Sequence, residues 1–234
     1  MIYVMSDLHG CYDKYKEMLT KIHFKDSDTL YILGDIIDRG KGGIKILFDM
    51  MNRPNIFPVL GNHEYMMAQN LKHLLKPITD QTISEFNEDK MLSLQHWIAD
   101  GGDKTLEELK AYSIEDKEIL LDYITEEFSL LERITVNNKS FILVHAGLDN
   151  FSPERSLESY ELHEVLFNKT DYSKEYFRNV YLVTGHTPTF LINPENAGKI
   201  YKNNMHIAID CGVAYPDAGV LGCICLNTFE EYYV

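Results

Sequence analysis

Short apolar segments alternate with longer amphipathic segments along the first third of the chain. Apolar runs at residues 2–5, 29–33 and 56–60 have the length of strands, and residues 11–22 and 44–51 carry apolar side chains at helical spacing. Strands separated by helices of this length predict βαβ units with right-handed crossovers. We therefore expect an α/β core with a largely parallel sheet.

The middle of the chain, from about residue 65 to residue 128, has a different pattern. Polar stretches with helical periodicity replace the apolar runs, which predicts a helical insertion or cap. Strand-like segments then return at 141–144, 180–183, 206–209 and 221–226, with Gly, Pro and Asn between them. We interpret residues 1–234 as a single domain whose sheets are interrupted by this helical excursion.

Five of the predicted strands are each followed by a polar segment that contains glycine. In chain order these segments are SDLHG (6–10), GDIIDRG (34–40), GNHE (61–64), HAG (145–147) and GHTP (185–188). A single aspartate or histidine at a strand end is more often a turn residue or a helix cap. Five such ends in order are much harder to explain as separate turns. Because ligands bind at the carboxyl ends of strands in open α/β sheets, the five segments predict one shared site.

The side chains in these segments have the chemistry of metal ligands. Carboxylate, amide and imidazole groups together suit manganese, iron or zinc better than calcium or magnesium, and no thiolate of a structural zinc site is present among them. Six ligands are too many for one tetrahedral ion, so the set predicts a two-metal site of the kind that clamps a phosphoryl displacement. The six candidates are Asp7, His9, Asp35, Asn62, His145 and His186.

Composition and charge limit the partners of the protein. The 234 residues are 45% hydrophobic, enough for a substantial core, and the net charge of -14 opposes binding to nucleic acid or to an anionic membrane. We therefore expect neither as a partner. The amino terminus lacks a basic segment followed by a long apolar one, and no run of about 18 apolar residues occurs, so we expect a cytoplasmic protein.

The five polar segments resemble the ordered signature of the calcineurin-like metallophosphoesterases, and specifically their phosphoprotein phosphatase branch. With IDCG at 209–212 and its size, the chain is most similar to the bacterial Ser/Thr phosphatases and to the symmetrical bis(5'-nucleosyl)-tetraphosphatases. The resemblance extends from residue 1 to about 226 and leaves the middle helical segment unmatched. It implies an α/β/β/α fold, a sandwich of two mixed sheets flanked by helices. It also implies two divalent metal ions, manganese first, with iron, zinc or nickel as the alternatives.

The resemblance assigns a role to each site residue. It implies that Asp7 and His9 bind the first metal, that Asp35 bridges both metals, and that the second metal is bound by Asn62, His145 and His186. The nucleophile would be a metal-bridging hydroxide that attacks phosphorus directly, without a covalent enzyme intermediate.

Three further residues in these segments have roles in the family's chemistry. His63 would protonate the leaving oxygen, and Asp38 would fix its tautomer. Arg39 would bind phosphate oxygens through its planar guanidinium, with Asn62 as a second substrate contact. Lys169 stands where the family has a second phosphate-binding arginine, so it is either a substrate ligand without bidentate geometry or a surface lysine.

Two functions share this chemistry. The first is a Ser/Thr protein phosphatase that hydrolyses phosphomonoesters on phosphoproteins, which is the reading that the sequence favours. The alternative is a symmetrical dinucleoside tetraphosphate hydrolase, or another enzyme of small phosphorylated molecules. An inactive metal-binding scaffold is a remote third possibility, and the sequence leaves the oligomeric state open.

Overall fold

The computed structural model describes residues 1–168, 170–215 and 219–234. The strands are β1 (Ile2–Met5), β2 (Thr29–Leu33), β3 (Ile56–Val59), β4 (Leu131–Val136), β5 (Lys139–Val144), β6 (Val180–Thr184), β7 (Tyr201–Asn203), β8 (His206–Ala208), β9 (Gly222–Cys225) and β10 (Glu231–Tyr233). The helices are α1 (Tyr12–Lys21), α2 (Gly43–Met51), α3 (Asn62–Leu74), α4 (Asp80–Glu85), α5 (Glu88–Trp97), α6 (Asp103–Leu109), α7 (Ile114–Glu127), α8 (Leu162–Leu166) and α9 (Thr189–Ile192).

The strands form two mixed sheets. The first has the order β10-β9-β1-β2-β3, and the second has the order β4-β5-β6-β8-β7. Strands β1, β2 and β3 are parallel, as the βαβ pattern predicts, but β9 pairs antiparallel to β1 and to β10. In the second sheet β5, β6 and β8 are also parallel, so each sheet has three parallel strands at its centre or side and antiparallel strands beside them. The expectation of a largely parallel sheet is therefore correct for these strands and wrong for the strands that flank them. The sandwich of two mixed sheets flanked by helices is confirmed.

The two sheets pack face to face, and their central strands are buried on both sides. In β1, Val4 belongs to an apolar cluster that also contains Phe141 and Leu143 of β5, so this cluster lies between the sheets. The neighbouring Tyr3 and Met5 belong to a second cluster, which includes the apolar faces of α1 and α2. Because side chains alternate across a strand, burial on both faces requires the continuous apolar runs seen in the sequence.

The segment between β3 and β4 is helical, as the periodicity predicts. Helices α3 to α7 follow one another there, and α5 meets α6 at a distorted turn, Ile98–Gly102, in which Gly101 has φ +106°. The interpretation of residues 65–128 as an insertion into a single domain stays a prediction. Within the part of the chain that the structure describes, no helix is both long and apolar enough to cross a membrane.

Candidate active site

The five polar segments meet at one edge of the sandwich. The backbone N–H of Asp7 donates to the Gly34 carbonyl over 3.0 Å, and the N–H of Gly185 donates to the His145 carbonyl over 2.9 Å. The sharp turns that end the strands place six site residues in the left-handed region, with φ between +41° and +68°. Such backbone is costly for residues other than glycine and concentrates at functional sites. The six are Asp7, His9, Asp35, Asp38, Arg39 and His186.

One group of ligand atoms converges around Nε2 of His145. Nδ1 of His145 lies 2.8 Å from the Leu33 carbonyl and must donate to it, so the lone pair of the ring is on Nε2. That Nε2 lies 2.9 Å from Asn62 Oδ1 and 3.2 Å from His186 Nδ1. Asp35 Oδ1 is 3.3 Å away. A backbone carbonyl that fixes the tautomer of a metal-binding histidine is a common outer contact of metal sites, and this donor set fits a divalent metal.

A second group shares Asp35 with the first. His9, Asp35 and His63 can bring one ligand atom each to within 4.8 Å of one another, as can Asp35, His145 and His186. Nδ1 of His9 faces the Ile37 carbonyl at 3.1 Å, which again directs the Nε2 lone pair into the site. The carboxylate shared by both groups is the geometry that a bridging ligand requires, and it matches the role predicted for Asp35.

Three buried carboxylates make the site strongly anionic. Burial, followed by the charges of Asp210 and Asp35, raises the pKa of Asp7 well above its usual value. Burial also raises the pKa of Asp35 to about 7 and that of Asp210 to about 6. The Asp7 carboxylate accepts the backbone N–H of His186 over 3.0 Å, which ties the first polar segment to the last. Carboxylates that lie close together and are buried from solvent favour the binding of cations, because a cation offsets the repulsion between their charges.

His63 and Asp38 form the predicted dyad. Nδ1 of His63 lies 2.7 Å from Asp38 Oδ2, and both side chains are fully buried. Burial opposes protonation of His63, but the charges of Asp35 and Asp38 outweigh it and raise the pKa to about 9. The raised pKa favours the protonated ring, and Nε2 faces the site, which is the arrangement that a general acid requires.

Arg39 also lies where the sequence predicts. Its Nη1 donates to Nε2 of His9 over 2.9 Å, and its Nη2 is 3.2 Å from Nε2 of His63. The guanidinium thus borders both the candidate metal ligands and the candidate acid. Lys169 lies outside the described residues, so its role as a phosphate ligand stays a proposal.

The sequence reasoning missed the residues that hold Asp38 in place. Trp97 Nε1 donates to Asp38 Oδ2 over 2.9 Å, and the hydroxyl of Thr105 donates to Asp38 Oδ1. The N–H of Asp38 in turn donates to the Thr105 hydroxyl over 3.0 Å. Trp97 is the last residue of α5 and Thr105 lies in α6, about 60 positions along the chain from Asp38, and no local pattern marks them.

Replacing Trp97 with phenylalanine should lower turnover without changing metal content. The variant keeps most of the buried ring but leaves Asp38 short of one donor, which should cost about 1–3 kcal/mol and reduce kcat about tenfold. Tyr15→Phe is the matched control, since Tyr15 donates to Asp49 over 2.7 Å away from the site. The control should lose stability in urea unfolding and keep its kcat; equal kcat in both variants would contradict a role for Trp97.

Glu64 is another residue to which the sequence analysis gave no role, although it lies within the GNHE segment. Its buried carboxylate accepts the backbone N–H groups of Asp35, Ile36 and Ile37 over 2.8 to 3.2 Å. It also accepts the N–H of Gly61 over 3.2 Å. Glu64 thus fixes the turn that carries Asp35, so its charge supports backbone rather than substrate.

A cleft opens beside the ligand group that contains His145 and His186. It has a volume of about 440 Å³ and includes His186 in its wall. The other lining residues are largely aromatic and apolar, and one of them, Tyr215, meets Phe190 edge to face at 5.2 Å between ring centroids. They are Thr170, Tyr172, Thr187, Pro188, Leu191, Ile192 and Tyr215. An apolar cleft next to a phosphate-handling centre can hold the organic part of a phosphorylated substrate.

Comparison with known proteins places this site in a family. The family model described as calcineurin-like phosphoesterase matches residues 1–209. A symmetrical bis(5'-nucleosyl)-tetraphosphatase of Haemophilus ducreyi is 37% identical over 100 residues, which are 41% of this chain and 37% of that protein. The protein of the same name from Buchnera aphidicola subsp. Schizaphis graminum is 28% identical over 162 residues, 59% of this chain and 58% of its own length. The matches thus span less than two thirds of these relatives.

Solved structures share the fold at low sequence identity. A protein provisionally named a diadenosine tetraphosphatase aligns over 100% of this chain and 92% of its own, with a TM-score of 0.64 and 17% identity. A protein serine/threonine phosphatase from Saccharomyces cerevisiae aligns over 100% of this chain and 79% of its own, with a TM-score of 0.59 and 14% identity. At these identities the likeness concerns the fold alone.

Proposed function

Because this chain belongs to the calcineurin-like phosphoesterase family, we propose that it hydrolyses dinucleoside tetraphosphates symmetrically, giving two nucleoside diphosphates. The family membership makes it a metal-dependent hydrolase of phosphoester bonds. The observation that carries the finer proposal is the name shared by its sequence relatives, symmetrical bis(5'-nucleosyl)-tetraphosphatase. This preference reverses the order of the two readings that the sequence alone suggested, in which a Ser/Thr phosphatase came first.

The residues of the site fit two divalent ions. Asp7, His9 and Asp35 would hold one ion, and Asp35 would share the second with the ligands at the other strand ends, Asn62, His145 and His186. When bound, the two ions would neutralise phosphate charge and lower the pKa of a water molecule between them. Manganese is our first choice of metal, since this mixture of nitrogen and oxygen ligands suits it.

The chain's own groups account for the rest of the displacement. Water adds to a phosphorus atom next to the central anhydride oxygen, and the bond from that phosphorus to the central oxygen breaks. His63 gives its Nε2 proton to this oxygen as it leaves on the second nucleoside diphosphate, while Asp38 keeps the ring oriented. Arg39 donates to the phosphate oxygens on the side of the site that faces His63. One inner phosphorus is attacked, so each product keeps two phosphates.

The apolar cleft beside His186 supports a nucleoside substrate. A purine ring needs a flat apolar contact, and Tyr215 offers one with 40% of its surface exposed. A phosphothreonine side chain would leave most of the 440 Å³ unfilled. We therefore place one nucleoside of the substrate against Tyr215.

Product analysis tests the proposal. Manganese-loaded protein should convert diadenosine tetraphosphate to ADP alone, with kcat/KM at least tenfold above that for a phosphothreonine peptide. A chelated sample and a His63→Ala sample purified in parallel exclude a contaminating phosphatase. Release of ATP with AMP would contradict symmetrical cleavage, and preference for the peptide would restore the protein phosphatase reading.

A further inference from the structure

Asp100 places a carboxylate at the entrance of the candidate active site. Its Oδ1 accepts from Nη2 of Arg39 over 3.1 Å, and its Oδ2 lies 3.5 Å from Nε2 of His63. These are the two groups that meet the phosphoryl and leaving oxygens in the chemistry proposed above. The side chain is 47% exposed and its Oδ1 contacts Nη2 of Arg39, so a phosphate group that binds this guanidinium lies next to the carboxylate.

The position of Asp100 is fixed by the backbone that follows it. The N–H of Arg39 donates to the Gly101 carbonyl over 3.1 Å. This hydrogen bond joins the turn between α5 and α6 directly to the turn at residues 38–40, the DRG turn. Gly101 has φ +106°, and a Cβ there would lie 2.7 Å from Cγ of Arg39. Only glycine allows this approach, so Asp100 is held beside Arg39 by the fold and is not a chance surface contact.

A carboxylate in this position repels a bound phosphoryl group more strongly when that group carries more negative charge. The phosphoryl group of a monoester carries close to two negative charges at neutral pH, because its second pKa is about 6. An inner phosphoryl group of an anhydride, or that of a diester, carries one. The second charge adds repulsion from Asp100, and one further unit charge at about 4 Å changes relative binding about fivefold in water and more where the site excludes solvent.

We propose that Asp100 is a specificity-determining residue that makes this site prefer phosphoanhydrides and phosphodiesters over phosphomonoesters. The inference rests on the proposed function in that it concerns the same site, and it adds a physical reason for that substrate class. In this role Asp100 repels the negative charge of the substrate's phosphoryl group at the edge of the site, and it takes no proton in the reaction.

A pair of substrates with one leaving group tests the charge effect. p-Nitrophenyl phosphate and bis(p-nitrophenyl) phosphate differ by one negative charge on the reacting phosphoryl group. In Asp100→Asn, the ratio of kcat/KM for the monoester to that for the diester should rise about fivefold or more over wild type. Asp100→Glu keeps the charge and should stay within about threefold of the wild-type ratio.

Asp103→Asn is the matched control, because it removes one negative charge three positions along the chain from Asp100, at the start of α6. Asp103 pairs with Lys104 over 2.8 Å and is 50% exposed. This control should leave the ratio unchanged. Calorimetric binding of phenyl phosphate and diphenyl phosphate to the same proteins gives the comparison independently of turnover and should show the same shift.

The outcomes separate the inference from the proposed function. An unchanged ratio in Asp100→Asn, or an equal loss on both substrates, would overturn the role of Asp100 and show that it only positions Arg39. A shifted ratio in a protein whose wild type does not cleave diadenosine tetraphosphate would support the role of Asp100 and reject the proposed substrate.

Discussion

Asp35→Asn should abolish most of the activity and remove bound metal at the same time. Asp35 is the one residue common to both candidate ligand groups, so the substitution weakens two ion sites at once. Loss of an outer contact of a metal site typically costs 10–100-fold in affinity or activity, and loss of a shared ligand should cost more, about 10³-fold in kcat/KM. The measurement is metal content by plasma mass spectrometry after reloading with manganese, together with turnover of diadenosine tetraphosphate.

The metal-free variant should nevertheless fold. The amide has the shape of the carboxylate, and Glu64 still binds the backbone N–H groups of this turn. Burial raises the pKa of Asp35, so the charged form of this side chain destabilises the folded protein when no metal is bound. The amide of Asp35→Asn is neutral. In the presence of chelator, the free energy of unfolding of the variant should therefore be no lower than that of the wild type. Asp49→Asn is the control: it breaks surface ion pairs with Lys16 and Arg53 and should keep its metal. Wild-type metal content in Asp35→Asn would refute the shared-ligand assignment.

The strand ends of the site could be predicted because each lies within a local pattern. An apolar run followed by Gly and Asp predicts both the end of β2 and the position of Asp35, and parallel neighbours bring such ends to one edge. Burial on both faces makes these runs continuous, so they were recognisable without alternation.

The contacts from the helical segment could not be predicted in the same way. Trp97 and Asp100 are separated from the DRG turn by more than 50 residues, and a tryptophan at helical spacing predicts core packing, not a bond to a catalytic carboxylate. The left-handed backbone of Gly101 that joins the two turns is visible only in three dimensions.

Sheet direction was predicted less well than strand position. The apolar run around Cys223 indicates a buried strand, yet nothing in four apolar residues tells whether the chain runs parallel or antiparallel to β1. Strands β4 and β7 have exposed polar residues and β10 is half-buried, so none of the three has the continuous apolar run of the predicted strands. Edge strands of this kind are specified by pairing rather than by burial.

His63→Ala should lower kcat while leaving the metal content intact. In the proposed mechanism His63 supplies the proton to the leaving oxygen, and general acid catalysis of this kind contributes 10²–10⁴-fold. The loss should depend on the leaving group: p-nitrophenol leaves easily without a proton, so cleavage of its phosphate should fall less than cleavage of the unsubstituted phenyl ester. A steeper dependence of kcat on leaving-group basicity in the variant is the signature of a missing acid.

The control for this substitution is His96→Ala, which removes an exposed imidazole one residue before Trp97 and should leave kcat and its leaving-group dependence unchanged. Wild-type turnover in His63→Ala would refute the acid assignment. Lost metal would instead make His63 a ligand, because its Nε2 lies 3.8 Å from Asp35 Oδ2 and the ring also belongs to the ligand group of His9 and Asp35. The bond from Nδ1 to Asp38 argues for the acid, since a carboxylate that fixes the ring and favours its protonated form serves proton donation.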